Sequence, residues 1–109
     1  MDKPRFNVLG VGVHAVNLES ATHGLITAAR EGESGYVCCC DAHSIIRGRH
    51  NAEHRHTLNQ ALLATPDGMP LVWTGRRSGF SEVDRTYGPD LMGALCAATA
   101  DTKLTHYFY

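Results

Sequence analysis

An α/β fold, an open and mostly parallel sheet with helices on both faces, is what the order of this chain predicts. Short β-branched or wholly apolar runs alternate with longer segments of helical periodicity, the pattern of strands joined by crossover helices. One of the apolar runs, Tyr36 to Cys40, has the composition of a strand covered on both faces. The strand-like runs also end in turn residues, Asp41 after one and Pro66-Asp67-Gly68 after another. Sheets of this kind bind ligands at the carboxyl ends of their strands, so both turns fall where chemistry is expected.

The first element is Phe6 to Val16, β-branched and interrupted by Gly10 and Gly12, which predicts one bent strand or two short ones. Leu18, Ala21, Leu25, Ala28 and Ala29 then recur at helical spacing behind Asn17, a good cap, so residues 17–30 form an amphipathic helix. Residues 31–35, with two glycines, make the turn into the Tyr36–Cys40 strand. Ala42 to Leu62 carries Ile45, Ile46, Leu58, Ala61 and Leu62 around a polar middle and predicts a helix broken near Gly48 or Asn51, leading to a strand over 62–65. Met69–Arg77, with proline near its start, reads as a short helix. A polar loop runs to Tyr87, Gly88-Pro89-Asp90 opens a last helix through Ala98, and residues 104–109 are rich in β-formers and predict a strand.

The 109 residues, 43% hydrophobic and 19% charged, suit a single α/β domain spanning 1–109. A net charge of −1 with ten scattered basic residues gives no electropositive footprint, which argues against a nucleic-acid partner. No apolar run approaches the ~20 residues of a membrane-spanning helix, and no signal-type stretch comes after Met1, so the expected location is the cytoplasm. Cys38, Cys39 and Cys40 are consecutive and alternate between faces of a strand, which suits neither a disulfide framework nor tetrahedral zinc; they read as small core residues. His50, His54 and His56 include two imidazoles four apart, the spacing of zinc ligands on a helix, but no acidic partner completes a known motif and the cluster reads as a solvated face.

Asp67 is the residue most suggestive of chemistry. It sits between a proline, which restricts the chain, and a glycine, which frees it, so the carboxylate is rigidly presented at a strand end. That makes it a candidate general base, although Pro-Asp-Gly is also a common turn.

Thr65-Pro66-Asp67-Gly68-Met69-Pro70-Leu71-Val72-Trp73, with Arg85-Thr86-Tyr87-Gly88-Pro89-Asp90-Leu91-Met92 after it, resembles the paired signature of the WecG/TagA/CpsF glycosyltransferases. The likeness extends to Asn7-Val8-Leu9-Gly10-Val11, Gly35-Tyr36-Val37, Ala42-His43-Ser44 and Leu58-Asn59-Gln60-Ala61, nearly the whole chain in register. It implies a Rossmann-like version of the sheet and an inverting transfer of a sugar such as N-acetylmannosamine from a UDP-sugar to a polyprenyl-diphosphate-linked saccharide, in cell-surface polysaccharide biosynthesis. In that reading Asp67 is the catalytic base, Arg85 faces the diphosphate, and Gly68, Gly88 and Asp90 line the substrate, with Asp90 alternatively capping its helix. Cys39 and Asp41 stand where the family commonly has threonine and asparagine beside the sugar.

The resemblance further implies no cofactor beyond the UDP-sugar donor and no required metal, since the family lacks an Asp-x-Asp site and none occurs here. It places the enzyme at the inner membrane face, touching it through regions absent from this sequence. Family members are longer, so the chain is expected to be an amino-terminal portion, whose alternative role is a non-catalytic binding or scaffold chain that retains the fold. An exposed edge at Tyr107-Phe108-Tyr109 would invite pairing with a second copy.

Overall fold

The computed structural model describes residues 1–108. The chain runs β1 (Arg5–Val8), β2 (Val11–His14), α1 (Leu18–Arg30), β3 (Val37–Cys40), α2 (Ala42–His50), α3 (Ala52–Asn59), β4 (Leu63–Pro66), α4 (Met69–Arg77) and α5 (Gly88–Thr99). It is a mixed α/β fold with one parallel strand pair.

The opening segment resolves as two strands. Leu9 and Gly10 both take positive φ, 51° and 92°, which reverses the chain and pairs β1 with β2 as an antiparallel hairpin from Arg5↔His14 to Val8↔Val11. Two side chains fasten this hairpin to the end of α3. The Arg5 guanidinium donates to the Gly12, Asn59 and Ala61 carbonyls, while Asn59 accepts from Gly12 N–H and donates to the Gly10 carbonyl.

β3 and β4 pair in parallel, in register from Val37↔Leu63 to Cys40↔Pro66. The described strands therefore form two two-stranded ladders rather than one open sheet. The reason is visible at β2, which packs beside β4 through a side chain: Ala64 N–H donates to Nδ1 of the buried His14 at 2.9 Å. An imidazole thus takes the hydrogen bond that a neighbouring strand's carbonyl would take in a continuous sheet.

The helices match the sequence pattern closely. Asn17 caps α1 in a reciprocal box with Ser20. The long segment after β3 breaks at Asn51, whose extended backbone ends α2 and whose side chain caps α3 by accepting from His54 N–H. His50 and His54 accordingly sit on different helices, and their spacing of four is not one helical turn. Two further expectations fail. The Val37–Cys40 strand is not covered on both faces, because Val37 and Cys39 are exposed while only Cys40 is buried, as befits a strand with a neighbour on one side. Residues 104–108 form no strand: Thr99 Oγ1 lies 2.8 Å from His106 Nε2 and Thr102 Oγ1 accepts from Leu104 N–H, so side chains of the α5 end hold this segment and no strand ladder takes it up. Tyr109 lies outside the described residues.

The larger core gathers Phe6, Val11, Val13, Cys40, Ile45, Leu58, Leu71, Val72 and Val83; a second cluster joins Val16, Ala21, Leu63 and Leu91 under α1 and α5. Gly75 lets α4 settle on the hairpin, since a Cβ there would stand 2.8 Å from Phe6 Cζ and 3.1 Å from Val83 Cγ1. Gly75→Val should therefore overpack this contact, costing about 2 kcal/mol and lowering Tm by roughly 10 °C in thermal unfolding. An unchanged Tm would show that α4 does not seat on Phe6.

Candidate active site

The carboxyl ends of β3 and β4 bring together most of the residues that the sequence singles out. Asp67 comes directly after β4, and its N–H donates to the Cys40 carbonyl at 2.8 Å, extending the parallel ladder by one bond. Asp41 comes directly after β3 and lies against Gly68: a Cβ on Gly68 would stand 3.8 Å from Asp41 Cα. Cys39, one residue back on β3, reaches the start of α5, where a Cβ on Gly88 would stand 3.3 Å from Cys39 Sγ.

The loop between α4 and α5 delivers Arg85. Val83 and Thr86 are buried anchors; Asp84 N–H donates to the Val16 carbonyl, and Thr86 N–H donates to the Pro66 carbonyl at 2.9 Å. Between them Arg85 turns outward, half exposed, and its Nε donates to the Asp67 carbonyl at 2.7 Å. The same Nε stands 3.6 Å from Asp67 Oδ1. That oxygen is buried and accepts no hydrogen bond, although the side chain as a whole keeps 20% exposure. Tyr87 stacks beneath the guanidinium, whose Cζ lies 4.8 Å from the ring centroid.

A carboxylate oxygen out of water without a donor is costly unless a cation or a ligand proton faces it. Here the cation is Arg85, at ion-pair but not hydrogen-bond distance. The arrangement leaves an acceptor ready for a proton and a guanidinium with donors beyond Nε.

Three helices begin at this edge and differ in how their free amides are met. Asp41 Oδ1 accepts from Ser44 N–H at 2.8 Å and caps α2. α4 starts behind Gly68 and α5 behind Tyr87, and neither has a side-chain cap; both carry proline in the first turn. Asp90 is exposed inside the first turn of α5, where its charge complements the helix dipole, but Tyr87 and not Asp90 occupies the cap position. The α4 and α5 starts therefore present positive helix ends near Asp67 and Arg85.

Some of this geometry escapes the sequence. Ser44 Oγ lies 3.1 Å from His54 Nε2, which fastens the start of α2 to α3. The support of Arg85 by Tyr87 is signalled only by an aromatic residue two positions on. Of the three consecutive cysteines, Cys40 is buried and its thiol is pushed up to about 12, chiefly by burial; burial also raises Cys38, whereas Cys39 faces solvent. Among the described residues no three His, Cys, Asp or Glu side chains gather as metal ligands would, and no helix is long and apolar enough to cross a membrane.

No curated protein matches the chain. The glycosyl transferase WecG/TagA/CpsF family does, over residues 6–109, a span that includes both strands of the parallel pair, Asp67, Arg85 and the start of α5. The chain belongs to the WecG/TagA/CpsF family of glycosyl transferases.

Proposed function

We propose that this chain carries the base-and-phosphate part of an inverting sugar transfer, with Asp67 as general base. The observation that carries the reading is the buried, unbonded Oδ1 of Asp67 at the end of β4, with the Arg85 guanidinium beside it. The proposed donor is a UDP-sugar of the N-acetylmannosamine type and the proposed acceptor a polyprenyl-diphosphate-linked saccharide, in assembly of a cell-surface polysaccharide at the inner membrane face. The β3–β4 pair with its helices is then the centre of a Rossmann-like nucleotide site.

In this mechanism the acceptor hydroxyl gives its proton to Asp67 as its oxygen attacks the anomeric carbon, and the bond to UDP breaks on the opposite side. Charge accumulates on the departing diphosphate. Arg85 and the uncapped starts of α4 and α5 are arranged to receive it, and stacking on Tyr87 keeps the guanidinium plane fixed. Gly68 and Gly88 keep side chains out of the approach to these amides, with Cys39 and Asp41 alongside the sugar and Asp90 at the rim. A sugar-transfer step of this kind needs no metal, because the guanidinium and helix ends supply the positive charge.

The second reading is a chain that binds the nucleotide without transferring the sugar, which needs only the Arg85 nitrogens beyond the engaged Nε and no proton taken by Asp67. Calorimetric titration with UDP separates the roles. Arg85→Ala should weaken UDP binding by about 2 kcal/mol, near thirtyfold in Kd, and Asp67→Asn should leave it nearly unchanged. Unaltered UDP affinity in Arg85→Ala would remove Arg85 from the phosphate site; UDP binding with no transfer by the wild-type chain would favour the second reading.

A further inference from the structure

We infer that His54 is a positioning residue for the carboxyl edge of the parallel pair: through Ser44 it keeps the Asp41 carboxylate folded onto the start of α2 and out of the space that a diphosphate would fill. The chain puts an aspartate directly after β3, and the fold sets it against Gly68, the residue after Asp67. Two carboxylates at one edge repel each other and any diphosphate brought there. Asp41 is engaged elsewhere: its Oδ1 accepts from Ser44 N–H at 2.8 Å, where the positive end of α2 offsets the charge.

This cap is only as firm as the turn that presents the Ser44 amide. Asp41, Ala42 and His43 are exposed, and the first buried side chain of α2 is Ile45. Among the described residues one hydrogen bond leaves this turn for another helix, between Ser44 Oγ and His54 Nε2 at 3.1 Å.

The support behind that bond is well seated. His54 lies in the first turn of α3, its own N–H donated to the Asn51 cap at 3.0 Å. Arg55, the next residue, donates to the Gly48 carbonyl at 3.0 Å, and a Cβ on Gly48 would stand 3.5 Å from Arg55 Cα, so α2 and α3 approach closely there. Leu58 belongs to the larger core and Asn59 is tied to the β1–β2 hairpin, which joins α3 to the body of the fold. Loss of Ser44 Oγ or of the His54 ring therefore loosens the first turn of α2 and frees the Asp41 carboxylate toward Gly68 and Asp67. The penalty falls on an anionic ligand and needs a charge at position 41. This role rests on the nucleotide-binding reading of the same edge.

Calorimetric titration with UDP across a double-mutant cycle tests it. Ser44→Ala and His54→Ala should each raise the Kd about fivefold, the worth of one hydrogen bond passed on to the ligand, and the loss should shrink as salt is added. His54→Gln, whose amide reaches the place of Nε2, should keep the wild-type affinity. In the Asp41→Asn background, where the cap survives without its charge, Ser44→Ala and His54→Ala should change the Kd little. If the wild type binds UDP and the losses are equal in both backgrounds, or absent in both, or as large in His54→Gln as in His54→Ala, the positioning role alone is overturned. A wild-type chain without affinity for UDP would end the nucleotide reading and this role with it.

Discussion

Asp67→Asn should reduce sugar transfer by two to four orders of magnitude, the usual contribution of a positioned base, while leaving the fold and UDP binding nearly intact. The substitution is close to isosteric. It preserves the N–H donated to Cys40 and the carbonyl that accepts from Arg85, because both belong to the backbone. What it removes is the charge and the proton-accepting capacity of Oδ1, the atom that no hydrogen bond satisfies. Asp67→Ala tests something different, since it also opens space beside Arg85. A loss confined to kcat in Asp67→Asn, measured at saturating donor and acceptor, separates a chemical role from a binding one. A rise in KM alone, with kcat untouched, would mean that the carboxylate positions substrate and accepts no proton.

His14 should make the fold acid-sensitive in a defined window. Burial, then the nearby Arg5 charge and the terminal amine, lowers its pKa from 6.5 to about 4. Its Nδ1 accepts from Ala64 N–H, so the neutral ring carries its proton on Nε2. The folded state therefore binds fewer protons than the unfolded one between about pH 4 and 6.5, and stability falls as pH drops through that range. The contribution lost is about 3 kcal/mol once the pH is below the folded value. The comparison is with His14→Gln, which cannot ionise at that position. The difference in unfolding free energy between wild type and variant, measured by denaturant titration, should shrink steadily from pH 7 to pH 4. A constant difference would mean that the imidazole is not held neutral against β4.

Much of the site was legible because it depends on local rules. Proline before and glycine after Asp67 present the carboxylate at the end of an apolar strand, and Asn17, Asn51 and Pro70 mark helix boundaries by the hydrogen bonds they make or lack. The meeting of Asp41 with Gly68 is fixed once two strands are parallel and in register, whereas that of Cys39 with Gly88 also needs the loop before α5 tied to β4 by Thr86 N–H on the Pro66 carbonyl. The hidden features depend on partners distant in sequence. The Leu9-Gly10 reversal decided for two short strands over one bent strand and paired them as a hairpin, and His14, apolar by position and polar by chemistry, replaced a strand's hydrogen bond fifty residues away. The run before Tyr109 has strand composition, but strand propensity is realised only where a ladder is free to accept it, and residues 104–108 are held by Thr99 and Thr102 at the end of α5. The exposure of Cys39 has a similar origin, because coverage of β3 is set by what packs on it rather than by its own residues.

In the proposed reaction one carboxylate at the edge of the parallel pair accepts the proton of an incoming hydroxyl in a single displacement. The measurement that bears on it most directly is the anomeric configuration and yield of product formed from a labelled UDP-sugar and a lipid-linked acceptor, with wild type and Asp67→Asn run side by side and resolved by NMR. Product of inverted configuration is expected from the wild type and almost none from the variant. Equal yields from the two proteins, or product with the donor's configuration retained, would contradict this role for Asp67.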